Sequence, residues 1–149
     1  MQREILLEIL AQNRLTCSYA FDRITDENSS YRVNGQAASV GFIYRHIGET
    51  LLLFGTFFGI QTDVENTTMG QQDLGQRFDL STSRMLIDRG YEMLKKVVEE
   101  TADEEWLDSV ETPFFGTVSR VRLFAHTLFH TASHAGQISL TLSRVWATL

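Results

Sequence analysis

Three of the four histidines of this chain, His126, His130 and His134, stand four residues apart. Imidazole is a preferred donor for zinc, nickel and copper, so the spacing raises the question of a metal site. The stretch from Val118 to Trp146 reads as a helix. Apolar or small residues recur there at helical spacing (Val121, Phe124, Leu128, Thr131, Ala135, Ile138, Leu142 and Val145), with no proline between them. Residues four apart on a helix lie about 5–6 Å from each other, so one such pair can grip one ion. All three cannot, because eight residues separate His126 from His134 by about 12 Å along the axis, whereas a zinc–nitrogen bond is only about 2 Å long. At about 100° per residue, His134 lies roughly 80° from the centre of the apolar stripe, His130 about 120° and His126 about 160°. This ordering favours His130 and His134 as the inward pair and leaves His126 toward solvent. His46 is the remaining histidine and the natural third ligand. Taken alone, it reads more readily as a histidine satisfied by a hydrogen bond in the core or at a helix face; beside His130 and His134, on a chain with only four histidines, it reads as a ligand.

The elements that must position these residues are helices. A first helix is expected from Met1 to about Ile24, with Leu6, Leu10, Cys17 and Ala20 inward. The polar run Asp26-Glu-Asn-Ser-Ser and the segment through Gly35 form a turn. A second helix is expected from about Ala38 to Phe58 and carries His46 beside Ile43, Ile47 and Leu51. The polar stretch from Gly59 to Leu80 is too long for a tight connection and could fold over the bundle mouth as a lid, bringing Asp63, Glu65 or Asp73 to a substrate. Ser81, Thr82 and Ser83 offer capping hydroxyls for a third helix whose core side holds Ile87, Tyr91, Leu94, Val97 and Val98. Residues 101 to 117 read as a loop whose Trp106, Phe114 and Phe115 dock on the bundle or on a partner. The expectation is an all-α four-helix bundle, one domain over residues 1–149, with a metal site between the second and fourth helices.

Two segments carry a resemblance. Ala38-Ser-Val-Gly-Phe-Ile-Tyr-Arg-His46-Ile-Gly-Glu49 and Leu128-Phe-His130-Thr-Ala-Ser-His134-Ala-Gly136-Gln137-Ile138 resemble the paired helices of the DinB/YfiT-like metal-binding four-helix bundles. The resemblance implies one divalent metal ion per chain, zinc or nickel, held by His46, His130 and His134. It also implies a homodimer and, by analogy with characterised relatives, transfer or isomerisation chemistry that uses a low-molecular-weight thiol. Ala135 departs from the pattern, since members often carry a basic residue or another histidine there, so no anion contact is expected from that position.

The chemistry open to such a site is bounded by what surrounds the histidines. Three neutral imidazoles leave the cation its full charge and an open position, the layout of a catalytic site. His130-Thr131-Ala-Ser-His134 matches the zinc-peptidase motif only in spacing, because Thr131 stands where the general-base glutamate is needed. A substrate that brings its own nucleophile, such as a small thiol, asks less of the protein. Glu49, one turn after His46, is a weak candidate as catalytic base or as hydrogen-bond acceptor, and Gln137 as a residue that orients a ligand. The expected function is a metal-dependent enzyme acting on small molecules, which the resemblance extends to a thiol-dependent S-transferase, and the alternative is a non-catalytic metal-binding bundle in stress response or regulation.

The net charge of −6 argues against nucleic acid and against an anionic membrane, since no cluster of lysine and arginine exists to meet phosphates. The lone Cys17 cannot form an internal disulfide and suits a cytoplasmic location as a buried core residue. The N-terminal segment lacks the pattern of a signal peptide. Phe129, Leu140 and Trp146 add apolar surface to the last helix, as a dimer would use.

Overall fold

The computed structural model describes residues 1–145. It contains four long helices, α1 (Gln2–Phe21), α2 (Val40–Gly55), α3 (Leu80–Glu100) and α4 (Arg120–Val145), and a hairpin of β1 (Ser109–Thr112) and β2 (Gly116–Ser119). Their inward faces supply one core in which Val40, Ile47, Leu94, Val98, Leu123 and Ile138 are fully buried. Cys17 is buried in the same core. No helix among the described residues is long and apolar enough to cross a membrane.

Side-chain partners fix the helix directions. Asn13 bonds the Leu128 carbonyl and Arg23 reaches Ser139 and Ser143, so α1 and α4 run the same way. Arg14 pairs with Asp88 and Glu92 while Asp22 pairs with Arg84, so α3 runs against α1. Gly48 packs beside Leu86, and Gly55 beside Met93, so α2 and α3 are parallel. That last relation explains the long connection between Gly59 and Asp79. A parallel pair needs a crossover that returns along the whole of α2, and its 16 residues rise about 24 Å.

Helix ends differ locally from the sequence reading. α1 stops at Phe21, short of Ile24, where a turn with Arg23 N–H bonded to the Ala20 carbonyl takes over. α2 passes into a short 3-10 turn at Thr56–Phe58 and ends at Gly59, whose φ of 84° suits a residue without a Cβ. The cap of α3 is Asp79, not a hydroxyl of Ser81, Thr82 or Ser83. Its carboxylate accepts from the Thr82 N–H at 2.7 Å, and the Ser81 and Thr82 hydroxyls donate to the same oxygen. A charged acceptor at a helix N-terminus outcompetes a neutral one. This arrangement holds the Asp79 carboxyl down at about 2, first through the Ser81 hydroxyl and then through Thr82.

The segment expected as a loop before α4 is structured. Asp103–Leu107 forms a 3-10 turn that buries Trp106 edge-on to Phe124, with ring centres 5.6 Å apart. The hairpin pairs Ser109 with Ser119 and Thr112 with Gly116, placing Val118 in β2 and starting α4 at Arg120. Strands of four residues are too short for alternation to stand out against the neighbouring helical pattern. On α4, Phe129 and Leu140 are 68% and 60% exposed; Trp146 lies outside the described residues, as does the side chain of Val145.

The parallel contact of α2 with α3 depends on missing side chains. A Cβ on Gly90 would stand 2.6 Å from the Leu51 Cβ, and one on Gly48 would stand 2.8 Å from the Leu86 Cβ. Overpacking of this kind costs about 1–3 kcal/mol, against about 1 kcal/mol gained by replacing a helical glycine. Gly90→Ala is therefore expected to lower the urea midpoint. Gly136→Ala, on a helix position with nothing within 4 Å of the new Cβ, should raise it, and equal shifts in the two variants would refute the close-contact account.

Candidate metal centre

The antiparallel course of α2 past α4 sets His46 opposite His130 and His134. The His130 Nε2 lies 3.3 Å from the His46 Nε2 and 3.2 Å from the His134 Nε2. All three donor nitrogens fall within 4.8 Å of one another, and no other histidine, cysteine, aspartate or glutamate joins them among the described residues. Tetrahedral ligands at zinc–nitrogen distances of about 2.0–2.1 Å stand about 3.3 Å apart. Both spacings to His130 fit ligands of one cation, and the His46–His134 pair is bounded at 4.8 Å.

Hydrogen bonds on the far side of two rings explain why. The Thr68 hydroxyl donates to Glu49 Oε2 at 2.7 Å, so toward His46 it acts as acceptor, 3.3 Å from the Nδ1. This places the His46 proton on Nδ1 and leaves the Nε2 lone pair free. The His134 Nδ1 donates in the same way to Gln137 Oε1 at 2.8 Å. The Thr50 hydroxyl lies 3.4 and 3.5 Å from the two His46 nitrogens, almost equidistant, and so lines up with neither. Such outer partners fix the tautomer and orientation of a ligating imidazole.

Glu49 is 1% exposed. Its two oxygens accept three hydrogen bonds, from the Thr67 N–H, the Thr67 hydroxyl and the Thr68 hydroxyl. Arg45 stands 4.0 Å away and is itself held by Ser83 and the Asp79 carbonyl. Glu49 therefore reaches the histidines only through Thr68, and it pins the crossover onto α2. Of the acids on that crossover, Asp63 pairs with Arg89, and Asp73 pairs with Arg32 while accepting from the Ser39 N–H. The Asp73 side chain is buried and committed to these partners, whereas Asp63 keeps only a surface pair. Thr67 and Thr68 escaped the sequence reading because Asn66-Thr-Thr carries only a glycosylation pattern; nothing in it marks a hydroxyl relay.

His126 is not a member of the cluster, nor does it face open solvent as its position around the helix implied. The tip of the hairpin covers it: Phe115 stacks edge-on at 4.5 Å, and Phe54 stands 5.7 Å away on the other side. Thr131, at the position of a zinc-peptidase glutamate, is buried and donates to the Thr127 carbonyl. Burial, followed by the charge of His134, pushes the His46 imidazole down to about 4. Burial and then the neighbouring histidines push His130 down to about 3. Both rings are neutral at pH 7, the form that ligates.

The sequence pattern of the DinB superfamily matches residues 9–138, most of the chain and all three clustered histidines. The chain belongs to the DinB superfamily. No curated protein matches it. Among solved structures, a DinB-like protein from Bacillus cereus ATCC 10987 superposes with a TM-score of 0.77 at 16% identity, covering 95% of this chain and 91% of the other. The four-helix bundle protein TT2238 does so with a TM-score of 0.67, also at 16% identity, covering 93% and 98%. At that identity the likeness establishes the fold that this DinB-superfamily chain shares with both. A surface groove of about 630 Å³, lined by α2, α3 and residues 60–62, lies away from the histidines, and its Arg84 and Arg89 are paired with Asp22 and Asp63.

Two expectations follow from the geometry. Replacing Thr68 by valine removes the acceptor for His46 Nδ1 while keeping the volume, and should weaken divalent-metal affinity about tenfold or more; chelator competition measures it, and unchanged affinity would show the relay to be idle. Second, the unfolded chain takes up protons at histidine near 6.5 whereas the folded one holds His46 near 4, so the unfolded state binds more protons between these values and stability rises with pH there. The metal-free protein should keep full stability above about pH 6.5 and lose it progressively toward about pH 4. Melting temperatures across that window test this, and a flat or opposite trend contradicts it.

Proposed function

We propose that the protein is a metal-dependent enzyme acting on small molecules, with one zinc or nickel ion held by His46, His130 and His134. The observation that carries this reading is the His130 Nε2 standing 3.3 Å from the His46 Nε2 and 3.2 Å from the His134 Nε2, all three donors lying within 4.8 Å of one another, with two of the rings held by acceptors at Nδ1. A divalent cation bound there with an open position would make a water or thiol easier to deprotonate.

The chain's own residues define the rest of the reading. Glu49 and Thr68 hold His46, Gln137 holds His134, and Phe54 shields His130 with ring centres 5.8 Å apart. Nothing on α4 supplies the carboxylate base of a peptidase, since Thr131 is turned to the backbone. A substrate carrying its own nucleophile fits this surrounding best, and we take it to be a low-molecular-weight thiol. In such a transfer the thiol releases its proton to solvent, its sulfur bonds the electrophilic carbon, and the leaving group departs with the electron pair.

Elemental analysis of the purified protein beside His46→Ala tests the site, and thiol conjugation by the metal-loaded protein tests the reaction. About one zinc or nickel per chain is expected, with loss in the variant. Equal metal in both would overturn the three-histidine site. Metal bound without turnover of any thiol and electrophile pair would leave a binding protein and remove the enzyme reading.

A further inference from the structure

Arg122, His126, His130 and His134 stand on α4 at successive steps of four residues, so they form a ladder along one face. The metal centre takes the last two rungs. Beside the first two lies a separate cavity of about 120 Å³ lined by Phe115, Val118, Arg122 and His126. An apolar cavity of about 150 Å³ accepts benzene, so this notch is sized for a single ring.

Its walls are aromatic and its rim is cationic. Phe115 and His126 meet edge-on at 4.5 Å, Phe114 packs 6.0 Å from Phe54, and Phe114 and Phe115 are still 48% and 46% exposed. Two half-bare phenyl rings at the tip of the hairpin leave apolar faces that a planar partner would cover. The exposed Arg122 guanidinium, like those of Arg3, Arg77 and Arg120, makes no ion pair or side-chain hydrogen bond among the described residues, and of these four it alone lines the notch. A planar guanidinium without a carboxylate is matched by a ligand carboxylate. The imidazole of His126 stands 6.1 Å from that of His130, so a molecule in the notch is one ring away from the metal centre.

We propose that this notch is the binding site for the second substrate, an aryl or similarly planar carboxylic acid. Its ring lies against Phe115 and His126, its carboxylate pairs with Arg122, and its reactive substituent points toward His130. The orientation of the reactive end rests on the metal-enzyme reading above; the notch itself does not.

Amide chemical-shift titration of the full chain with trans-cinnamate tests the proposal, alongside cinnamyl alcohol and acetate as probes of each half alone. Cinnamate should shift amides of residues 112–118 and 122–126, and both half-probes should bind at least several-fold more weakly. Arg122→Gln should lose about tenfold or more in cinnamate affinity, with Arg122→Lys between, and Phe115→Leu about threefold or more. Shifts that map elsewhere, or Arg122→Gln binding as tightly as wild type, would overturn it. The same titration on His130→Ala separates the two readings. Cinnamate bound there with the metal lost supports the notch whatever becomes of the metal, and metal bound to wild type without cinnamate removes the notch alone.

Discussion

Three imidazoles turned toward one point, two of them held as bare acceptors at Nε2 by partners at Nδ1, are an arrangement that a chain free to relax would open. The fold holds them together. His46 is fixed from behind by Thr68, whose own proton is committed to the buried Glu49, and His134 is fixed by Gln137 one turn on. Burial then keeps His46 and His130 uncharged. The arrangement makes sense as a cavity shaped for positive charge, in which the cost of holding these rings together is offset when a cation arrives.

The helix order serves that geometry. Running α2 against α4 brings a turn of each into register, while the parallel pairing of α2 with α3 forces a long crossover. Rather than spanning idle space, the crossover carries Thr67 and Thr68 back to Glu49. The element needed for topology is therefore also the element that orients a ligand. On the other side, the short hairpin ahead of α4 brings Phe114 and Phe115 against Phe54 and His126. The site has a polar back and an aromatic front.

Helical spacing in the sequence was enough to find four helices and to choose His130 and His134 over His126, because burial on a helix follows angle. It was also enough to nominate His46, since few donors were available. The partners of Glu49 were not legible. They sit 18 and 19 residues downstream, on a segment without periodicity, and meet Glu49 only because the crossover doubles back. His126 was misplaced for a related reason: angle around a helix says which face points away from the core, not whether another segment covers it. The hairpin that does so is built of four-residue strands. Likewise the cap of α3 was sought among hydroxyls, while the stronger acceptor, Asp79, stood two residues earlier.

His46 and His130 are 84 positions apart in the chain. Closing a loop of that length costs roughly 4 kcal/mol of chain entropy before any contact repays it. An ion gripping both ends would act on the protein much as a crosslink does, tying α2 to α4 without a covalent bond. During synthesis such a tie can form only after the 84 positions that separate the two histidines have been made, so α2 must wait for α4.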